Sequence, residues 1–88
     1  MARKEGQNQL YNCLGEVIAL RRKRLGKSQE ELATDTGVDR AFISSIERGK
    51  RNPSFGSIAL IARGLRMRYA RLVHNCERCV EERDKKSA

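Results

Sequence analysis

Apolar side chains recur at three- and four-residue intervals in five separate stretches of this 88-residue chain. That spacing lines them along one side of a helix rather than on alternate faces of a strand. Leu10, Leu14, Val17, Ile18 and Leu25 predict a first helix over 9–25. Leu32 and Ala33 mark a second over 29–36, and Ile43 and Ile46 a third over 39–48. Phe55, Ile58, Ile61, Ala62 and Leu65 form the inward stripe of a fourth, which Gly64 ends. Tyr69, Leu72, Val73, Cys76 and Val80 do the same for a fifth over 68–83. The pattern predicts an all-α fold of five helices. The polar ends, 1–8 and 84–88, read as a flexible basic arm and a frayed tail around a single domain over 9–83.

Start and stop signals sharpen the middle of the chain. Ser28 is followed three residues later by Glu31, the spacing of a capping box in which hydroxyl and carboxylate each accept from a backbone N–H. Gly37 supplies the left-handed conformation that a sharp turn between helices needs. Asp39 stands where the next helix takes its N-cap. Gly49 ends that helix, and Ser54, after Pro53, caps the fourth. The second and third helices are thus joined by almost no chain, as in a helix–turn–helix.

Ile43 and Ile46 turn one side of the third helix inward and leave Arg40, Ala41, Ser44 and Ser45 on the others. In helix–turn–helix proteins the N-terminal part of this helix meets base edges in the major groove. Arg40 can donate two hydrogen bonds to a guanine, and Ala41 offers a methyl to thymine. The two serines donate or accept and so select weakly. Gln29 opens the preceding helix, where its amide and the helix N-terminus can hold a phosphate. Arg48, Lys50 and Arg51 follow the third helix and suit the DNA backbone.

The string Ser28-Gln29, Glu31-Leu32-Ala33, Gly37, Ile43-Ser44, Ile46-Glu47-Arg48-Gly49 and Arg51-Asn52-Pro53-Ser54 resembles the lambda-repressor and Cro type of helix-turn-helix protein, the XRE family. The resemblance runs from Leu14 to about Leu65. It implies a compact lambda-repressor-like domain and a transcriptional regulator, similar to phage Cro-type regulators or the controller proteins of restriction–modification systems. It also implies base contacts at Arg40, Ala41 and Ser45, phosphate contacts in the loop of Arg48, Lys50 and Arg51, and a structural ion pair between Arg22 and Glu47. Lys27 departs from the pattern, which has an apolar residue there; it is expected either to weaken that corner of the core or to add a phosphate contact.

Charge and size narrow the partners. With 19 basic and 11 acidic residues the formal charge is +8, which favours a polyanion such as double-stranded DNA. A domain this small buries little of its surface, so a partner subunit would help it. The fifth helix is surplus to the family's minimal core. Its stripe of Tyr69, Leu72, Val73, Cys76 and Val80 either folds back on the domain or pairs with a second copy; a homodimer on a roughly palindromic operator is the favoured expectation. An antitoxin or adaptor bound to a protein partner is the alternative. No nucleophile–base pair or phosphate-binding glycine loop suggests an enzyme, and no cofactor is expected.

No stretch reaches the roughly 18 apolar residues of a membrane span, and the N-terminal residues lack the apolar run of a signal peptide. A cytoplasmic protein with reduced thiols is expected. Cys76-Glu77-Arg78-Cys79 with His74 suggests a metal site or a Cys76–Cys79 redox pair, but the ligand set is incomplete and a disulfide within one helix is strained. Cys76 then packs as a small hydrophobe with Cys79 at the stripe's edge, and Cys13 packs beside Leu14.

Overall fold

The computed structural model describes the backbone of residues 2–87 and the side chains of 9–86. Five helices follow one another: α1 (Ala2–Arg24), α2 (Gln29–Thr36), α3 (Arg40–Glu47), α4 (Phe55–Gly64) and α5 (Tyr69–Ser87). No strand occurs among the described residues. Met1 and Ala88, the extremes of the expected arm and tail, lie outside them. The other end residues are helical rather than irregular. Polarity alone does not stop a helix: Glu81 and Glu82 stand four residues before Lys85 and Lys86, and those lysines complement the dipole in the last turn.

α1 packs against α3 and α5, while α2 lies against α3 and α4. Ile18, Leu32, Ile43, Ile46, Ile61, Leu65 and Leu72 are fully buried where these helices meet. Leu10 and Phe55, expected to face inward, are exposed. Each begins its stripe one turn before the residues that reach the core.

The caps organise the centre. Ser28 Oγ accepts from the Glu31 N–H at 3.0 Å, and Glu31 Oε1 accepts from the Ser28 N–H at 2.9 Å. Gly37 adopts φ 76°, and its N–H donates to the Ala33 carbonyl at 2.8 Å, closing α2. Asp39 makes no side-chain cap. The turn is tied from its other end, where Thr36 Oγ1 accepts from the Val38 N–H at 3.1 Å. Ser54 Oγ caps α4 by accepting from the Ser57 N–H at 3.1 Å.

The fifth helix overturns two expectations. Cys13 and Cys79 form a disulfide between α1 and α5, so these thiols are not reduced and Cys79 is more than an edge residue. They are 66 residues apart in sequence but 5.8 Å apart between Cα atoms, a proximity created only by packing. The expected dimerisation set also divides. Leu72 and Cys76 are buried in the chain's own core and Val80 packs against it, whereas Tyr69 and Val73 face outward. α5 folds back on α1, so most of its stripe is consumed internally. Cys76 keeps a free thiol, whose Sγ lies 3.7 Å from the Leu10 carbonyl oxygen. Burial pushes its pKa up from the ordinary 9.0.

Candidate nucleic-acid interface

Three features of the sequence hold α3 in place. Gly15 lets α1 approach the end of α3 so closely that a Cβ there would stand 2.6 Å from the Glu47 carbonyl oxygen. Ile43 and Ile46 anchor the helix from inside. Arg22 then grips its last residue: Nε donates to Glu47 Oε2 at 2.7 Å and Nη2 to Oε1 at 2.9 Å. Arg22 Nη1 also donates to the Lys27 carbonyl at 2.8 Å, and Gln29 Nε2 donates to Glu47 Oε1 at 3.0 Å. The Arg22 and Glu47 side chains are only 11% and 7% exposed.

Two charges held this far from water need such a complete set of partners. The hydrogen bonds to Glu47 raise the Arg22 pKa above its ordinary value; burial opposes this, and Glu47's charge adds to it. Gln29, expected at a phosphate, is drawn into the same network. The spacing of Gln29 to Glu47 carries no local pattern that would reveal it. Lys27 is turned inward, its side chain only 16% exposed. Its ammonium donates to the Gly64 carbonyl at 2.7 Å and pairs with Asp35 at 2.7 Å, binding α2 to the end of α4.

With one side of α3 anchored, the other is presented to solvent. Arg40 and Ala41 are exposed at its N-terminus, and Ser44 and Ser45 are partly exposed one turn on. Ser45 Oγ donates to the Ala41 carbonyl at 3.0 Å, which leaves its oxygen lone pairs as acceptors. Arg48, Lys50 and Arg51 are exposed just beyond the helix. The Arg51 guanidinium lies 5.7 Å from the centre of the Phe42 ring, a cation–π contact that keeps it near α3. Among the described residues no group of His, Cys, Asp and Glu could hold a metal ion, and no helix is long and apolar enough to cross a membrane.

The Helix-turn-helix family model matches residues 18–72, from the middle of α1 into α5. This chain belongs to the helix-turn-helix family. Among its helix-turn-helix relatives, the control protein C.MunI of a Mycoplasma species is 37% identical over 67% of this chain and 80% of that protein. The control protein C.BamHI of Bacillus amyloliquefaciens is 36% identical over 70% of this chain and 83% of its own length. The restriction–modification controller protein C.Esp1396I was solved as a tetramer in complex with its natural 35-base-pair operator. It superposes with a TM-score of 0.74 at 32% identity, covering 81% of this chain and 93% of that one.

Proposed function

We propose that this chain is a transcriptional regulator that binds double-stranded DNA in a sequence-specific manner as a homodimer, in the manner of a restriction–modification control protein. The observation that carries the reading is the presentation of Arg40 and Ala41 at the free end of a helix whose other end Arg22 and Glu47 lock. A helix so held can read base edges without losing affinity to its own disorder. Arg40, Ala41, Ser44 and Ser45 are the base contacts; Arg48, Lys50 and Arg51 hold phosphates, with Gln29 beside them at the start of α2.

The dimer face is smaller than the fifth-helix stripe. Phe55, Tyr69 and Val73 are 67%, 48% and 46% exposed, and the Phe55 and Tyr69 rings meet edge-on with centroids 5.3 Å apart. Exposed aromatics clustered in this way are typical of the centre of a protein interface. A two-fold dimer through them would present two copies of α3 to successive major grooves about 34 Å apart. The antitoxin or adaptor alternative draws no support from the relatives.

Selection from a randomised duplex pool at physiological salt tests the proposal. Enrichment of an inverted repeat with half-sites one helical turn apart is expected. Retention of every sequence alike, with binding that vanishes as salt rises, would leave only a charged surface and defeat the reading.

A further inference from the structure

Arginines crowd a long groove on the side of α1 turned away from α3. Gly15 and Arg22, which meet α3, stand about half a turn around α1 from Val17, Leu20 and Arg24, which line the groove. Its volume is about 840 Å³, and its opposite wall carries Arg66, Arg68, Arg71 and Arg78. Glu82 is the one carboxylate residue lining it, 4.0 Å from Arg78. Among the described residues no carboxylate pairs with Arg24, Arg66, Arg68 or Arg71. Like charges gathered in one cleft repel each other and focus a field that attracts anions.

The backbone supports the same arrangement. Arg66 has φ 56°, the left-handed region that favours glycine, yet it places a long cation on the groove wall. Arg21 fixes that conformation: its Nε donates to the Leu65 carbonyl at 2.9 Å and its Nη2 to that of Arg66 at 3.3 Å. Strain imposed by its surroundings in this way gathers at ligand sites. Val17, Leu20 and Met67 add an apolar surface between the charges, and the volume is that of a small-molecule cleft. The groove opens on the face of α1 opposite the one that meets α3, the helix proposed to read the operator. Val73 of the proposed dimer face lies about half a turn around α5 from Arg71 and Asn75, while Tyr69 of that face adjoins Arg68 at one end of the groove.

We propose that the α1–α5 groove binds a small ligand with a chain of phosphates and an apolar, planar body, of the nucleoside polyphosphate class. The inference goes beyond the DNA reading and stands without it. ATP is the probe, titrated by calorimetry beside inorganic tripolyphosphate and adenosine, with amide shifts followed by NMR. The expected result is one ATP per chain, tripolyphosphate bound more weakly, and shifts concentrated over residues 66–82. Arg68→Ala/Arg71→Ala, two exposed positions, should weaken ATP by at least about tenfold and leave duplex binding and melting temperature unchanged. Arg48→Ala/Lys50→Ala should weaken duplex binding alone.

Binding of neither ATP nor tripolyphosphate would overturn the proposal, as would shifts confined to α3. Equal loss of ATP in both double variants would show general attraction of anions and also overturn it. A groove variant that loses duplex affinity as Arg48→Ala/Lys50→Ala does would make this a DNA surface instead. Tripolyphosphate bound as tightly as ATP would refute the role given to Val17, Leu20 and Met67.

Discussion

Replacing Glu47 by alanine should damage this fold far more than an ordinary surface substitution. The carboxylate accepts three hydrogen bonds, two from Arg22 and one from Gln29, and is only 7% exposed. Its loss leaves the Arg22 guanidinium shielded from water, with the Lys27 carbonyl as its remaining acceptor. Removing one partner of a buried pair costs about 3–5 kcal/mol, because the other charge stays uncompensated. A domain has only about 5–15 kcal/mol in all. At about 4 °C or more per kcal/mol for this size, the melting temperature should fall by at least about 12 °C. Arg22→Met/Glu47→Leu removes both charges and should recover much of that loss, since packed apolar pairs replace buried ion pairs at little cost.

Far-UV circular dichroism against temperature and urea midpoints would measure both variants. The double variant also separates stability from aim. If it melts near the parent but binds operator weakly, the pair's main service is orienting α3. A fall below about 4 °C for Glu47→Ala would mean that the pair behaves like an exposed one, and the burial argument would fail.

Four further outcomes are expected. Arg40→Ala should cost about 1–3 kcal/mol against one preferred base and leave the fold intact, as competition binding to single-base operator variants would reveal; an unchanged preference would remove Arg40 from the reading surface. Arg51→Ala should weaken all duplexes about equally and flatten the plot of log K against log salt by about one unit, and an effect on one sequence alone would contradict its assignment to phosphate. Reducing Cys13–Cys79, or replacing Cys13 by serine, opens a closure spanning 66 residues and should cost about 2–4 kcal/mol; a melting temperature indifferent to dithiothreitol would refute that contribution. The raised pKa of Cys76 keeps its thiol neutral in the fold above pH 9.0, where an unfolded thiol ionises, so its contribution is full below that pH and is lost as pH rises towards the folded value. Cys76→Ala should flatten the decline of urea stability above pH 9.0, and an identical slope in both proteins would count against burial as the cause.

The helices and their order were legible because local chemistry determines them: apolar spacing, the Ser28–Glu31 box, and Gly37 at the turn. What escaped reading depends on contacts between distant segments. Nothing near Cys13 announces Cys79, and nothing near Lys27 announces the Gly64 carbonyl or Asp35 across the α2–α4 contact. The stripe of α5 was visible, but a stripe has the same spacing whether it covers its own core or a second chain. Leu72 and Cys76 took the first course, while Tyr69 and Val73 stay exposed. The basic groove was half legible, since Arg21-Arg22-Lys23-Arg24 stands out in sequence. Its other wall is assembled from residues more than forty positions away, and the same run splits functionally, with Arg22 turned to Glu47 and Arg24 to the groove.

In the proposed dimer the distance between two recognition helices depends on the path from the exposed face of α5 through α1 to α3, beside the one from Phe55 through α4 and α2. Each joint on the path through α1 carries a specific tie. The disulfide and the Arg83–Glu16 ion pair join α5 to α1, and Gly15 with the Arg22–Glu47 fork joins α1 to α3. A two-fold dimer doubles any play in these joints, because both half-sites inherit it. A palindrome of fixed spacing can therefore be selected only if α1 moves as one body with its neighbours. Reduction of the disulfide should then broaden the accepted half-site spacing before it weakens binding to either half-site alone. Operators with one base pair inserted or removed at the centre would show the difference: a spacing preference unchanged by reduction would mean that α5 needs no covalent hold on α1 to position the reading helices.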